Sequence, residues 1–218
     1  MDSVAVATER LLSRVLPQKQ AIEYAPRRII YDRIQPSMGI YRIVSGRVKV
    51  CLSIEGAGQV VLGIYSADQF FGQSGMLHEP HWHERALAIE QVALTCWTID
   101  EIETQIHRKP LLGLCLYNVV CGHLLELQER LGSFALDNIS NRLIRALLHF
   151  CDRQGMAVED GSILVPPVTH QLLSEYVGTS REIVTSHMNH FRNEGLLRYS
   201  RTGINIDTHA LQGRLGSY

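Results

Sequence analysis

Residues 169–206 constrain the chain more than any other stretch, because they read as two short helices, a sharp turn between them and a β-hairpin. Leu172, Leu173, Tyr176 and Val177 fall at i, i+1, i+4 and i+5, which is one face of a short amphipathic helix that Thr169 can cap. Gly178 permits the positive φ that ends a helix. Thr179-Ser180-Arg181-Glu182 then fits a capping box, with Thr179 as cap and Glu182 folding back, so a second helix is expected to start near Ser180. Its apolar side is Val184, Met188 and Phe191 at i, i+4 and i+7, leaving Arg181, Glu182, Thr185, Ser186 and Asn189 together on the opposite face. Gly195 closes it. Residues 196–200 and 204–206 can pair across Arg201-Thr202-Gly203 as a two-stranded wing.

A polar, short-chained helical face of this kind suits a DNA major groove. The groove admits one α-helix, and its bases are read by Arg on guanine, carboxylate on cytosine, and Ser, Thr or Asn on several edges. The duller alternative is a helical hairpin whose outer face is merely solvated. Here the residues carry a resemblance. His170-Gln171, Gly178-Thr179-Ser180-Arg181-Glu182-Ile183-Val184 and Gly195-Leu196-Leu197 closely resemble the winged helix of the bacterial Crp/Fnr transcription regulators. The resemblance implies that Arg181 contacts a guanine and Glu182 a cytosine of each half-site. It places Thr169, Gln171, Ser180 and Arg201 on phosphates, with Thr179, Thr185, Ser186 and Asn189 completing the face. The family usually carries a second Arg where this chain has Ser186, so the half-site is expected to differ at the base pair read there.

Double-stranded DNA as partner makes no demand on the overall charge, and the overall charge offers none: Lys+Arg 21 against Asp+Glu 22 gives a net charge of -1, so any DNA affinity is local. Two copies side by side would raise it, which argues for a homodimer. With 45% hydrophobic and 20% charged residues in 218, the balance is globular and large enough for two domains. The start has no basic region followed by an apolar core, and no run approaches the roughly 18 apolar residues of a membrane span. Cys51, Cys96, Cys115, Cys121 and Cys151 are odd in number and scattered, as expected of reduced thiols in a cytoplasmic protein without membrane attachment.

The fold class expected is α+β. Residues 4–16 read as a short helix, and from Ile22 the pattern turns to strands. Residues 40–44 and 47–52 are expected to form a β-hairpin about Ser45-Gly46, with Val48, Val50 and Leu52 inward against Arg47, Lys49 and Cys51. Gly56-Ala57-Gly58 is the next turn, and residues 59–65, 86–89 and 92–99 supply further strands of a jelly-roll or barrel. The resemblance continues here. Ile43-Val44-Ser45-Gly46-Arg47-Val48, the run from Phe70 to Leu77, and Glu84-Arg85-Ala86 look like the cyclic-nucleotide-binding β-roll of the same regulators. The implied phosphate cassette is Gly72, Gln73, Ser74, Arg85 and Ala86, with free N–H groups of a helix start and an Arg holding the phosphate. Two of these depart from the family pattern: Gln73 stands for the ribose-binding Glu, and Ala86 for a Ser or Thr. Leu127 and Gln128 align where nucleotide-binding members place hydroxyl residues over the base. Cyclic AMP is therefore not expected to be the effector: the pocket is either vestigial, with the protein constitutively DNA-competent, or holds another small anion through Arg85.

Asp100-Glu101-Ile102-Glu103 looks like a capped helix start, and a long helix is expected over residues 110–136. Leu116, Val120, Leu124, Leu127, Leu131 and Phe134, spaced 4, 4, 3, 4 and 3, form its dimer stripe, while Val119 and Leu125 are left to pack on its own roll. Asp137-Asn138 marks a hinge. Residues 139–151 form a helix under the winged helix, 155–161 a loop, 163–165 a strand, and 210–218 a tail of uncertain order. The expected domains are a sensor roll at 1–109, a dimerisation helix at 110–137 and a winged helix-turn-helix at 138–218. His78, His81 and His83 crowd one turn, and imidazoles bind metals and haem, but the spacing matches no helical zinc pattern and a polar loop explains it as well. The first fifty residues hold no Cys for the iron-sulfur cluster that some members of that family carry. No nucleophile beside a base and no paired carboxylates appear, so no enzyme is expected. The reading is a homodimeric, sequence-specific transcription regulator, with RNA polymerase as partner if it activates. The alternatives are a ligand-sensing interaction module without strong DNA affinity, or a haem- or gas-sensing regulator.

Overall fold

The computed structural model describes residues 4–54, 58–77 and 83–215. Gly56 and Ala57 of the expected turn, and His78 and His81, lie outside the described residues. The chain divides into two units, Met1–Leu127 and Gln128–Tyr218.

In the first unit the helix α1 (Val4–Val15) precedes the strands β1 (Ile22–Tyr24), β2 (Ile29–Tyr31), β3 (Gly39–Ser45), β4 (Val48–Ile54), β5 (Gly58–Tyr65) and β6 (Phe70–Phe71). A short 3-10 turn (Gln73–Met76), β7 (Glu84–Ala88), β8 (Val92–Thr98), α2 (Ile99–Arg108) and the long α3 (Leu111–Leu136) follow, α3 running past the boundary of the unit. Two antiparallel four-stranded sheets result, ordered β1-β8-β3-β6 and β2-β7-β4-β5. Strand alternation sends Tyr41, Ile43, Phe71, Val92 and Leu94 of the first sheet to a core shared with Tyr31, Val48, Val50 and Ala86 of the second. It sends Ile40, Phe70 and Trp97 to the other face, where Leu12, Leu16, Ile102, Leu112, Leu116 and Val119 cover them.

Several local expectations need correction. Ser45-Gly46 is a corner between sheets and not a hairpin turn, because β3 pairs with β8 and β6 whereas β4 pairs with β5 and β7. Gly46 makes the corner with φ 81, and a Cβ there would lie 2.2 Å from the Gln91 carbonyl. The alternation along β4 breaks at a register shift between Val50 and Cys51, which buries Cys51 completely. Arg47 is buried as well, at 7% exposure, in a two-point pair with Glu90 at 3.2 and 2.8 Å. The cap of α2 is Thr98, two residues before the expected Asp100, in a reciprocal capping box with Glu101.

The stripe expected to face a second copy opens one residue later than the spacing predicts. Leu116 is 5% exposed and belongs to the roll's own core, whereas Tyr117 is 65% exposed. Tyr117, Val120, Leu124, Leu127, Leu131 and Phe134 are spaced 3, 4, 3, 4 and 3, a regular heptad stripe where the sequence reading had an irregular one. Val119 packs on the roll as expected, while Leu125 stays 60% exposed. α3 is also long and apolar enough to cross a membrane, by length and composition alone. Gly113, Asn118, Gly122 and His123 break the uninterrupted apolar run, while the many Leu, Val and Cys around them keep the stretch apolar as a whole. Its buried face is filled by its own roll, and Glu126, Glu129 and Arg130 interrupt the remainder.

In the second unit, after the last part of α3, come α4 (Ile139–Gln154), β9 (Met156–Ala157), β10 (Ile163–Val165), α5 (His170–Val177), α6 (Arg181–Asn193), β11 (Leu197–Tyr199), β12 (Ile204–Ile206) and α7 (Thr208–Gly213). The expected loop at 155–161 contains β9, which completes the sheet β11-β12-β10-β9. The expected tail begins with a helix, since Asp207 caps α7 and Leu211 is fully buried. The core under α5 and α6 is Leu143, Ile144, Leu147 and Phe150 of α4 with Leu173, Val184, Met188 and Phe191, each 2% exposed or less. Truncating such a residue to Ala costs about 2 to 5 kcal/mol.

His149 of α4 lies on Tyr176 with ring centroids 6.3 Å apart, and burial first, then Arg153 and Arg130, push its pKa down to about 4. The unfolded chain, with the ordinary histidine pKa of about 6.5, then binds a proton that the folded unit refuses, so stability is complete above that pH and falls as pH drops toward 4. Urea titrations of the whole chain at pH 7.5 and 4.5 should show the second unit losing up to about 3 kcal/mol from this group, and His149→Phe should remove most of that dependence.

Candidate nucleic-acid interface and effector pocket

The helix pair is built locally. Thr169 caps α5, its Oγ1 accepting from Leu172 N at 3.1 Å, and the helix ends at Gly178, whose φ is 73. The N–H groups of Gly178 and Thr179 both donate to the Ser174 carbonyl, at 2.9 and 3.0 Å. A Cβ on Gly178 would meet the Phe134 ring at 2.6 Å, so glycine is needed there for both conformation and space. The cap of α6 is Ser180 and not Thr179: Ser180 Oγ accepts from Ile183 N at 3.3 Å, because Thr179 is already used in closing α5.

Val184, Met188 and Phe191 are buried on one side of α6, as the spacing predicts. On the other, Arg181, Glu182 and Ser186 are exposed, and Thr185 and Asn189 half-buried. The backbone N–H of Glu182 and then the Ser180 hydroxyl, with Arg181 beside it, hold the Glu182 carboxyl below the usual carboxylate range. It is ionised at neutral pH and can only accept hydrogen bonds, which is the chemistry a cytosine amino group needs. Gln171 is tied to Glu175 at 3.0 Å, while Arg201 stands exposed in the wing turn that Ser200 N closes on Gly203 O at 2.8 Å. Arg198 pairs with Asp160 at 3.0 Å, so it adds less to the positive excess than its sequence position suggests.

Two residues absent from the expected face join it. His170 Nδ1 lies 2.9 Å from Thr185 Oγ1, and His170 Nε2 lies 2.9 Å from the Tyr199 hydroxyl. Behind the face, the Arg130 guanidinium sits 4.1 Å above the Tyr176 ring and donates to the Tyr176 carbonyl at 3.2 Å, while Arg142 donates to the Val177 carbonyl at 3.3 Å. Two arginines thus satisfy the last carbonyls of α5, where the helix dipole favours cations.

In the first unit Gly72 caps the 3-10 turn that carries Gln73 and Ser74. Both side chains are engaged within the roll. Gln73 Nε2 donates to His123 Nδ1 at 3.0 Å, joining the turn to α3. Ser74 Oγ donates to Glu84 Oε1 at 2.8 Å, and the Tyr31 hydroxyl donates to the same oxygen at 2.5 Å. Burial and then Glu84 hold the Tyr31 pKa well above its ordinary value, so that hydroxyl keeps its proton. Ala86 is fully buried in the core between the sheets. Arg85 Nε is buried without a hydrogen-bond partner among the described residues. Leu127 lies 40% exposed on the α3 stripe, and Gln128 begins the second unit. Sequence reasoning missed His123 and Tyr31, whose partners lie 50 and 53 residues away in the chain. The carbonyl of His83 accepts from Ser53 N at 2.7 Å, and no group of three metal-binding side chains is assembled among the described residues.

A double-sheet roll joined through one long helix to a winged helix-turn-helix defines a signal-sensing, DNA-binding transcription regulator. Comparison with known proteins agrees. Residues 21–109 match the cyclic nucleotide-binding domain and residues 141–214 the Crp-like helix-turn-helix domain. The chain belongs to the Crp/Fnr family of transcription regulators. It is 22% identical over 208 residues to the global nitrogen regulator of Synechocystis sp., covering 93% of this chain and 91% of that protein. It is 25% identical over 212 residues to the cyclic AMP receptor protein of Thermus thermophilus, covering 96% and 90%. The solved structure of FixK2 from Bradyrhizobium japonicum shares the fold with a TM-score of 0.79 at 17% identity, over 90% of this chain and 97% of that one.

Proposed function

We propose that this regulator acts in the cytoplasm as a homodimer, joined along α3, that reads two half-sites about one helical turn apart. Arg181 takes a guanine and Glu182 a cytosine in each half-site. Ser186, Thr185 and Asn189 face the neighbouring bases, and Thr169, Gln171, Thr179, Ser180 and Arg201 face phosphates. The observation that carries this reading is the division of α6, buried at Val184, Met188 and Phe191 and exposed at Arg181, Glu182 and Ser186. RNA polymerase is a partner if the protein activates. Selection of random-sequence DNA by mobility shift with the whole chain should enrich an inverted repeat. Enrichment of no site would leave the ligand-sensing module without strong DNA affinity as the better reading.

Cyclic AMP is not the effector: the cassette is either vestigial, the protein then being constitutively competent for DNA, or it holds another small anion through Arg85. Gln73 and Ser74 are already bonded to His123 and Glu84, Ala86 offers no hydroxyl, and only Arg85 holds a buried donor in reserve for an anion. Each hydrogen bond to a charged group that the site fails to make is worth about 1.5 to 3 kcal/mol, one to two decades in affinity. Calorimetric titration with cyclic AMP should give no binding tighter than about 10 μM, the level below which such a weakened site would have to fall. Tighter binding with a matching gain in DNA affinity would overturn this, since a ligand shifts the protein only by its differential affinity for the two states. The signal travels along α3, which is bonded to the 3-10 turn through His123 in one unit and to the end of α5 through Arg130 in the other.

A further inference from the structure

The hydrogen bonds around His170 have a determinable direction. Thr185 Oγ1 lies 2.8 Å from the Arg181 carbonyl, which can only accept, so the single hydroxyl proton of Thr185 is committed there. His170 Nδ1, 2.9 Å from the same oxygen, must then be the donor. Among the charged groups facing the ring is Arg181 of α6, and burial followed by that guanidinium holds the His170 pKa below the ordinary value. The ring is neutral at pH 7, and with its proton on Nδ1 its Nε2 is an acceptor. The Tyr199 hydroxyl at 2.9 Å, kept protonated by burial despite Arg192 nearby, donates to it. Protons therefore point one way along Tyr199, His170, Thr185 and the Arg181 carbonyl, linking the first strand of the wing, the first residue of α5 and the first turns of α6.

We infer that His170 and Tyr199 are positioning residues for DNA reading: together they fix the wing against α6, and the bond from His170 Nδ1 holds the Thr185 hydroxyl in the orientation that gives its proton to the Arg181 carbonyl and leaves it to accept from a base. Tyr199 stands two residues before Arg201, so the tether sets where the wing's phosphate contact falls relative to the base contact of Arg181. Thr185, its proton spent and one lone pair filled by His170, retains one lone pair. It can accept from adenine N6 or cytosine N4 and has no proton to offer guanine O6 or thymine O4. This rests on α6 entering the major groove. The pattern was invisible in the sequence because His170 and Tyr199 are 29 residues apart.

The test uses the whole chain and the DNA site it selects, with His170→Ala, Tyr199→Phe, the double variant and His170→Asn. Tyr199→Phe removes one neutral hydrogen bond and should lower DNA affinity about 3- to 10-fold, His170→Ala removes two and should lower it at least as far, and the double variant should lose no more than His170→Ala alone. The slope of affinity against salt should stay unchanged, because no phosphate contact is removed. Repeated site selection with His170→Ala should relax the preference at the base pair beside Thr185. His170→Asn, whose amide N–H can replace Nδ1 but which has no counterpart to Nε2, should restore that preference without restoring the affinity lost with Tyr199. Losses that multiply, a reduced salt slope, an unrelaxed base preference or no loss in either single variant would overturn the inference. Failure of the unaltered protein to select any site would instead overturn the groove-reading role, before any variant is made.

Discussion

Leu124→Asp should leave the protein monomeric at micromolar concentration and remove most of its DNA binding. Leu124 is 53% exposed in the middle of the Tyr117, Val120, Leu124, Leu127, Leu131, Phe134 stripe, with two stripe residues before it and three after. In a parallel pair of such helices the residue at this level meets its own copy, so the substitution buries two carboxylates facing each other. Neither has a cation in the stripe to pair with, and desolvating them costs several kcal/mol. A monomer offers one α6 to a two-part site and loses the gain that comes from holding the second half-site at high effective concentration, typically two to four decades. Sedimentation equilibrium and mobility shift measure the two effects. Leu125→Asp is the control, since Leu125 is equally apolar and 60% exposed but lies about 100° around the helix from the stripe. If Leu125→Asp dissociates the protein and Leu124→Asp does not, the seam lies on another face.

Leu124 lies in the stripe whichever residue opens it, but the first residue of that stripe is one the sequence could not supply. Leu116 and Tyr117 are both apolar neighbours at the start of α3, and either can open a stripe that continues through Val120. The roll decides between them, by taking Leu116 into the cluster of Trp97, Ile102 and Leu112 and leaving Tyr117 outside. Ser45-Gly46 failed for the same reason. A two-residue link with a positive φ serves a hairpin or a corner between sheets equally well, and only the long-range partners of β3 and β4 distinguish them. The helix-turn-helix was legible because its signals are local: Gly178 at φ 73, a hydroxyl cap on each helix and apolar spacing on α6 that buries Val184, Met188 and Phe191. Even there the cap was displaced from Thr179 to Ser180, because closing α5 and opening α6 compete for the same residue. The cassette was legible as a stretch of chain but not as a chemistry. The sequence places Gln73, Ser74 and Arg85 together, yet whether their donors face a ligand or face His123 and Glu84 depends on residues many strands away.

Arg181→Ala should be the most damaging single change to DNA reading that leaves the fold intact. Arg181 is the first residue of α6, exposed, and the one Arg among Arg181, Glu182, Thr185, Ser186 and Asn189 now that Ser186 stands where the family usually has another. A guanidinium can make two parallel bonds to guanine O6 and N7, worth about 1 to 3 kcal/mol of discrimination in each half-site. Both half-sites are affected in a dimer, so the total of about 2 to 6 kcal/mol corresponds to a loss between roughly thirty-fold and beyond ten-thousand-fold. Arg181→Lys should recover little, because an ammonium cannot reproduce the fork. Ser180→Ala separates contact from folding: it removes the α6 cap, which should cost about 1 kcal/mol of stability in a urea titration, whereas Arg181→Ala should leave stability within about 0.5 kcal/mol. The preference lost should be confined to one base pair per half-site, with adjacent positions selected as before. If Arg181→Ala bound its selected sites as tightly as the unaltered protein, α6 would not be entering the groove by its N-terminal end, and Glu182 would lose its cytosine along with it.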